Sequence, residues 1–258
     1  MKSGIVRLLL LITAGLECLS GQVSPKNRTV IVISLDGFPA GALEDPTLPI
    51  PTLRSLIKGG AQAKRMTTVN PTVTWPNHTS MVTGVYPPQH GLFFNGTLVR
   101  GESGLPVKVD PTVPKEKMVY TTTVYDLAQK AGLTTAQVDW VAIEKAKTIT
   151  WAFPEVPSAD GVVEREMVAH GIAEKTGIED FRKLNIIRRD QIWTDAAIDI
   201  LREHKPNLLL FHLLTLDSTH HAYGPGTTAA KVAIGFLDSC VAREIGRASC
   251  RERVLMPV

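Results

Sequence analysis

Cysteine is scarce in this chain, three in 258 residues, and two of the three, Cys18 and Cys250, lie near the ends. With the ends set aside only Cys240 remains. No intrachain disulfide framework can staple the fold, so stability must come from a core or from bound metal. Charge of one sign is also lacking: 28 Lys and Arg against 25 Asp and Glu give +3. That is too little and too scattered for a nucleic-acid-binding patch or for membrane-surface electrostatics. No apolar run reaches the ~20 residues of a spanning helix, so no stable transmembrane segment is expected. What remains, 44% hydrophobic and 21% charged residues, is ordinary globular composition rather than that of a disordered chain.

Both ends are expected to stand apart from the fold. Lys2 and Arg7 precede an apolar run at residues 8–13, and the small residues Ser20 and Gly21 follow. This charged, apolar, small-residue order is that of a secretory signal peptide over residues 1–21, which implies a secreted or periplasmic protein. At the other end, "EIGRASCRERV" back-translates without a break into a standard short-read sequencing adapter. Residues 244–258 are therefore expected to be adapter-derived, and the catalytic region at 29–243 to be incomplete at its carboxyl end. The tail's three arginines against two glutamates, and Lys2 and Arg7 against Glu17, each contribute one positive charge. The core region is left at +1.

Between the ends, "TVIVISL" at residues 29–35 is a β-branched run closed by the turn pair Asp36-Gly37. Continuous rather than alternating apolar character predicts a strand buried on both faces. Leu53, Leu56 and Ile57 share a helical face between Pro51 and Gly59-Gly60. Residues 61–69 read as a second strand, 97–120 as a loop or small hairpin, 124–131 as a short helix and 134–140 as a strand. Residues 159–175 and 189–204 read as helices. The segment 207–216, "NLLLFHLLTL", is the strongest buried-strand signal, and a last helix starts near Thr228. Strands alternating with helices predict an α/β fold, a mostly parallel central sheet flanked by helices.

Functional groups in such a sheet gather beyond the carboxyl ends of strands. Asp36 and Asp217 each stand there, although an aspartate is also a common cap or turn former. In "DSTHHAYGPG", His221 follows Asp217 by one helical turn, so both can reach one ion. A carboxylate with an imidazole suits Zn²⁺ better than Mg²⁺. The adjacent His220 is the competing ligand, and two surface histidines in a turn are the plain alternative. In "NPTVTWPNHTSMVTGVYPPQHGLFFNG", Pro76 favours helix entry and sets Thr74 at or near the positive end of a helix. Thr74 is then either an N-cap or a hydroxyl that a metal could activate toward an incoming phosphate.

Taken together, "VIVISLDG", "PTVTWPNHTSMVTGVYPPQHG" with the trailing Asn95, and "LDSTHHAYGPG" resemble the nucleotide pyrophosphatase/phosphodiesterase family of the alkaline phosphatase superfamily, from about residue 29 to 243. The resemblance implies an alkaline phosphatase-like fold, two Zn²⁺ ions, a threonine nucleophile, and a small phosphodiester or nucleotide as substrate. It makes Asp36 and Thr74 ligands of one zinc and Asp217 and His221 ligands of the other. Asn95 becomes the donor to a nonbridging phosphoryl oxygen, and Trp75 the aromatic residue against a nucleobase. It further implies in-line attack by Thr74, a phosphothreonine-type intermediate, and hydrolysis by water from the opposite side. Three further family ligands, an Asp-His pair and a distant His, have no counterpart here, and "WVAIEK" from Trp140 replaces the family's Trp-Pro-Gly-Ser. Alternatives are a phosphomonoesterase or phosphonate hydrolase of the same superfamily, or a noncatalytic fragment that holds no stable zinc pair. A sulfatase is disfavoured because no Cys/Ser-x-Pro-x-Arg setting accompanies these motifs.

Overall fold

The computed structural model describes residues 24–101, 103–246 and 252–255, so the expected signal peptide lies outside the described residues. Strand β1 (Thr29–Leu35) forms where the β-branched run predicts it. Strands β2 (Thr97–Val99) and β3 (Lys108–Asp110) make a separate antiparallel hairpin, the expected excursion. Strands β4 (Thr135–Val138), β5 (Trp151–Phe153), β6 (Leu208–Leu213) and β7 (Glu252–Leu255) join β1 in one sheet of order β5-β4-β6-β1-β7, with every neighbouring pair parallel. β7 falls in the segment read as adapter-derived and pairs along the first four residues of β1.

Helices cover both faces. They are α1 (Pro51–Gly59), α2 (Thr74–Thr83), α3 (Val124–Lys130), α4 (Val162–Ala169), α5 (Ile186–Glu203), α6 (Thr215–Tyr223) and α7 (Thr228–Ile245). Strand alternation divides the core in two. On one face Ile31, Ile33, Leu35, Ala136, Val138, Leu209, Phe211 and Leu213 pack against apolar residues of α1, α4, α5 and α7. Each of these side chains but the small Ala136 contributes roughly 1.5–3 kcal/mol by leaving water. On the other face Leu208, Leu210, Val30 and Val32 meet Val82, Tyr125, Trp140 and Ile143.

Polar side chains fix how helices enter. The side chains of Asn185 and Thr227 accept from the backbone N–H of Arg188 and Ala230, capping α5 and α7. The first turn of α1 has no cap of its own, and the buried Asp238 of α7 supplies one, accepting from the N–H of Thr52 and Leu53 at 3.1 and 2.8 Å. None of the described helices is long and apolar enough to cross a membrane.

Three expectations are corrected. Residues 61–69 form no strand; they run almost entirely exposed, with no sheet partner, and the Val69 N–H bonds to the Asn77 side chain at 2.8 Å. The helix expected over 159–175 is cut to α4, because Gly171 turns the chain at φ +69° just after it. The strand expected over 207–216 stops at Leu213: the N–H groups of Leu214 and Thr215 turn away to the buried carboxylate of Asp190 at 3.1 and 2.9 Å. Asp217 therefore stands in the first turn of α6 rather than at a strand end.

Candidate functional site

Three neighbouring strands, β4, β6 and β1, end on the same edge of the sheet, and their register decides which side chains meet there. Ser34 pairs with His212, and Phe211 pairs with Val138. By the two-residue alternation, Asp36, His212 and Asp139 fall on one face, the face that α2 covers. The backbone N–H of Asp36 bonds to the Leu213 carbonyl at 3.0 Å, which carries the ladder one residue past β1 and fixes the start of the carboxylate.

Thr74 is the first residue of α2, not its N-cap; Val73 occupies that position without a capping side chain. The Thr74 hydroxyl donates to Asp36 Oδ2 at 3.1 Å. Half-buried at the positive end of a helix, it faces the place where a phosphate would be favoured. The Trp75 N–H donates to Asn95 Oδ1 at 3.0 Å, which brings Asn95, itself exposed, beside Thr74. The indole of Trp75 is only 8% exposed and packs with Leu92, Met118 and Val119. Little of that ring remains for a base to stack on, so the N–H is the group that Trp75 offers.

Asp217 joins these groups through glycine. Gly37 has φ +74°, and a Cβ there would lie 3.1 Å from the Asp217 Cα, so the turn after β1 and the first turn of α6 pack backbone to backbone. Only a residue without a side chain permits both the left-handed backbone and this approach. Burial, then the like charge of Asp36, raise the pKa of Asp217. One turn on, His221 Nε2 lies 3.4 Å from Asp217 Oδ1 on an imidazole that is mostly exposed. His221 rather than His220 thus faces the carboxylate.

The structure adds residues that sequence reasoning missed. His212, fully buried in β6, places Nε2 3.3 Å from Asp36 Oδ2 and Nδ1 3.1 Å from both the carboxylate and the carbonyl of Asp139. Burial opposes charge on His212, but Asp139 and Asp36 overcome it and hold its pKa well above the usual imidazole value. Burial likewise disfavours ionised Asp36, yet the hydrogen bond and charge of His212 leave its pKa below the ordinary 3.8. Burial lifts Asp139 to about 7 against the pull of His212. His78, buried behind Thr74, bonds the Thr74 carbonyl through Nδ1 at 2.8 Å, and burial and the charge of His212 push it down to about 3. The available signals were a lone histidine in an otherwise apolar strand and an aspartate at the strand end in "QVDW".

The donors fit zinc. A carboxylate whose ionisation the charge of Asp36 opposes, Asp36 itself, a hydroxyl and a reachable imidazole form an oxygen-rich set with one nitrogen, and a cation would relieve the repulsion on Asp217. Among the described residues the three acidic or imidazole side chains whose ligand atoms all lie within 4.8 Å of one another are His170, Asp199 and Glu203, not Asp36, Asp217 and His221. There Arg202 bonds Asp199 at 2.9 Å and Glu203 at 2.6 Å, which makes it an ion-pair network. A cleft of about 1240 Å³ lined by Lys26, Arg28, Thr29, Lys205 and Asn207 opens at the opposite, amino-terminal ends of β1 and β6 and shares none of the site residues.

Comparison with known proteins bears on the family and the fold. The chain is 26% identical over 228 residues to a venom phosphodiesterase of Macrovipera lebetinus, an alignment covering 86% of this chain and 23% of that one. Among solved structures it is similar to murine ectonucleotide pyrophosphatase/phosphodiesterase 5, in an inactive threonine-to-alanine form with AMP. That match has a TM-score of 0.62 at 18% identity and covers 89% of this chain and 56% of that one. It is equally similar to phosphonoacetate hydrolase from Sinorhizobium meliloti 1021 with phosphonoacetate, at TM-score 0.61 and 19% identity over 87% and 55% of the two chains. The chain thus spans about a quarter of the venom enzyme and just over half of the solved chains. At such identities the structural matches show the fold, an alkaline phosphatase-like one. The model of the type I phosphodiesterase/nucleotide pyrophosphatase family matches residues 30–251, most of the sequence. On that match and this fold, the chain belongs to the type I phosphodiesterase/nucleotide pyrophosphatase family.

Proposed function

We propose that this protein is an exported, zinc-dependent phosphodiesterase that cleaves nucleotides or related diesters through Thr74. The observation that carries this reading is the Thr74 hydroxyl at the first residue of α2, 3.1 Å from Asp36, with Asp217 packed against the same turn. The inactive threonine-to-alanine form of the murine relative supports a threonine nucleophile.

Asp36 and Thr74 would hold one zinc, and Asp217 and His221 the other. When bound, the metals supply Lewis acidity that lowers the hydroxyl pKa and offsets phosphoryl charge. Thr74 Oγ, its proton released to solvent, forms a bond to phosphorus as the bond to the leaving alkoxide breaks, and the alkoxide takes up a proton from solvent. Water then attacks phosphorus from the opposite side, the Thr74–phosphorus bond breaks, and the hydroxyl is restored. The Trp75 N–H and the Asn95 amide lie beside Thr74, where charge develops on equatorial oxygens. The Trp75 N–H would exchange Asn95 Oδ1 for a phosphoryl oxygen, while Asn95 would donate through Nδ2.

Four protein ligands are fewer than two closed tetrahedral zinc sites require, so the 258-residue chain by itself is expected to bind zinc weakly and turn over slowly. A single-turnover assay suits it. Incubation with zinc and a nitrophenyl ester of a nucleoside monophosphate, followed by acid quench and peptide mapping, should place a nucleotidyl adduct on the Thr74 peptide. A nitrophenyl phosphodiester should be preferred to the monoester. Adduct-free turnover unchanged in Thr74→Ala, or preference for the monoester, overturns the proposal. The equal structural likeness to phosphonoacetate hydrolase favours phosphonate cleavage as the second reading; faster release of phosphate from phosphonoacetate than of nitrophenol from the diester would select it.

A further inference from the structure

We infer that His212, steadied by Asp139, is a positioning residue that orients Asp36 toward Thr74 and toward the metal it is proposed to hold; the inference rests on the function proposed above. An imidazole in the middle of a sheet is costly to bury unless its ring nitrogens are paired. Here both are. Nδ1 faces the carboxylate and carbonyl of Asp139, and Nε2 faces Asp36 Oδ2. Asp139 is itself committed: fully buried, at φ +52°, it takes a left-handed backbone that side chains other than glycine, asparagine and aspartate rarely adopt. That backbone aims its carbonyl and carboxylate at the same nitrogen.

With Nδ1 directed at Asp139, the ring has one orientation, and Nε2 can only point along the sheet edge to Asp36. Asp36 Oδ2 then takes two bonds, from His212 and from the Thr74 hydroxyl. No hydrogen bond from the described residues reaches Oδ1, which is left for a cation. His78 and Trp140 close the remaining approach, their rings packed edge to face with His78 4.6 Å from His212 and 4.8 Å from Trp140. A purely structural histidine needs none of this directionality, and an apolar side chain matching Leu208 and Leu210 would fill the strand position more cheaply.

The geometry of amides provides the test, because the amide nitrogen of glutamine falls near Nε2 of histidine and that of asparagine near Nδ1. Zinc affinity of the full chain is read by competition with a chromophoric chelator, alongside the thermal midpoint of the metal-free protein, for His212→Gln, His212→Asn and His212→Phe. His212→Gln should keep zinc affinity within about threefold. His212→Asn and His212→Phe should lose about 10- to 100-fold, as loss of a partner that orients a metal ligand does. Should His212→Phe fail to fold, the Gln and Asn pair decides. Equal zinc affinity in these two, at similar thermal midpoints, overturns the inference. In the metal-free chain, ¹⁵N–¹H spectra should show a proton on His212 Nε2 whose resonance moves in Asp36→Asn; a bare Nε2 overturns the inference whether or not zinc binds. Failure of the unsubstituted chain to bind any zinc instead overturns the functional reading, an outcome distinct from both.

Discussion

At the residue scale, Thr74 and Asp36 stand 38 positions apart and share a hydrogen bond, so the substitution of each acts on a different property. Thr74→Ala should cut adduct formation by at least about 10³-fold, as loss of a nucleophile does, while leaving the zinc at Asp217 and His221 bound. Asp217→Ala should lower zinc affinity by at least the ~10-fold seen when even an outer partner is lost, checked by the same chelator competition. Unchanged zinc retention in Asp217→Ala would contradict its assignment as a ligand. Away from the site, Cys240 is buried and its thiol is pushed up to about 11 by burial. Its peptide should stay unlabelled by iodoacetamide at pH 8 in the native protein and label in urea. Lys115 and Asp126 form a mostly buried ion pair at 2.5 Å, and Lys115→Met should cost about 3 kcal/mol by leaving the carboxylate without its cation. Burial opposes the charge on Asp126, but bonds from Lys115, Thr148 and Thr123 hold its pKa below 3.8. A depressed carboxylate contributes stability above its unfolded pKa and loses it as pH falls through the folded value. The stability gap between the unsubstituted protein and Asp126→Asn should therefore hold at neutral pH and close in urea titrations below pH 3.8.

At the scale of elements, the site depends on two turns more than on the strands they follow. Gly37→Ala imposes a left-handed backbone worth about 1–2 kcal/mol and thrusts a methyl against Asp217, so zinc affinity should fall further than the thermal midpoint does. Trp193, fully buried on α5 with its ring 5.3 Å from that of Phe181, offers the contrast: Trp193→Ala should cost about 3–5 kcal/mol and, where folded, spare zinc affinity. Much at this scale was legible beforehand. The β-branched run became β1, the period of Ile192, Ala196 and Ile200 became α5, and "NLLLFHLL" became β6. The failures have physical causes. Residues 61–69 have strand-like composition but pair with no strand, and composition carries no information about available partners. Leu214 to Leu216 continue the apolar run of β6, yet Asp190 claims the backbone donors and starts α6. That carboxylate lies 24 and 25 residues before the groups it binds, beyond the reach of any local pattern.

For the whole molecule, the order β5-β4-β6-β1-β7 sets the end of the late-arriving β6 between those of β4 and of the first strand. Apolar cores on both faces, remote from the candidate ligands, support this arrangement. Chelation should accordingly leave the chain folded, with zinc at 100 times its Kd raising stability by about 2.7 kcal/mol. Metal analysis should return fewer than two zinc per chain, and two tightly held ions would contradict the four-ligand reading.

Periodicity and turn residues sufficed to determine the α/β class, most of its elements and the motif that contains Thr74, because those features are written within a few positions of one another. Asp36, Asp217 and His221 could be nominated on the same local grounds. Which imidazole supports Asp36, how little of Trp75 is left for a ligand, and how α6 begins were decided only in three dimensions. The reason is that parallel strands meet through long crossovers: register across β4, β6 and β1, not spacing along the chain, aligns Asp139, His212 and Asp36 on one face.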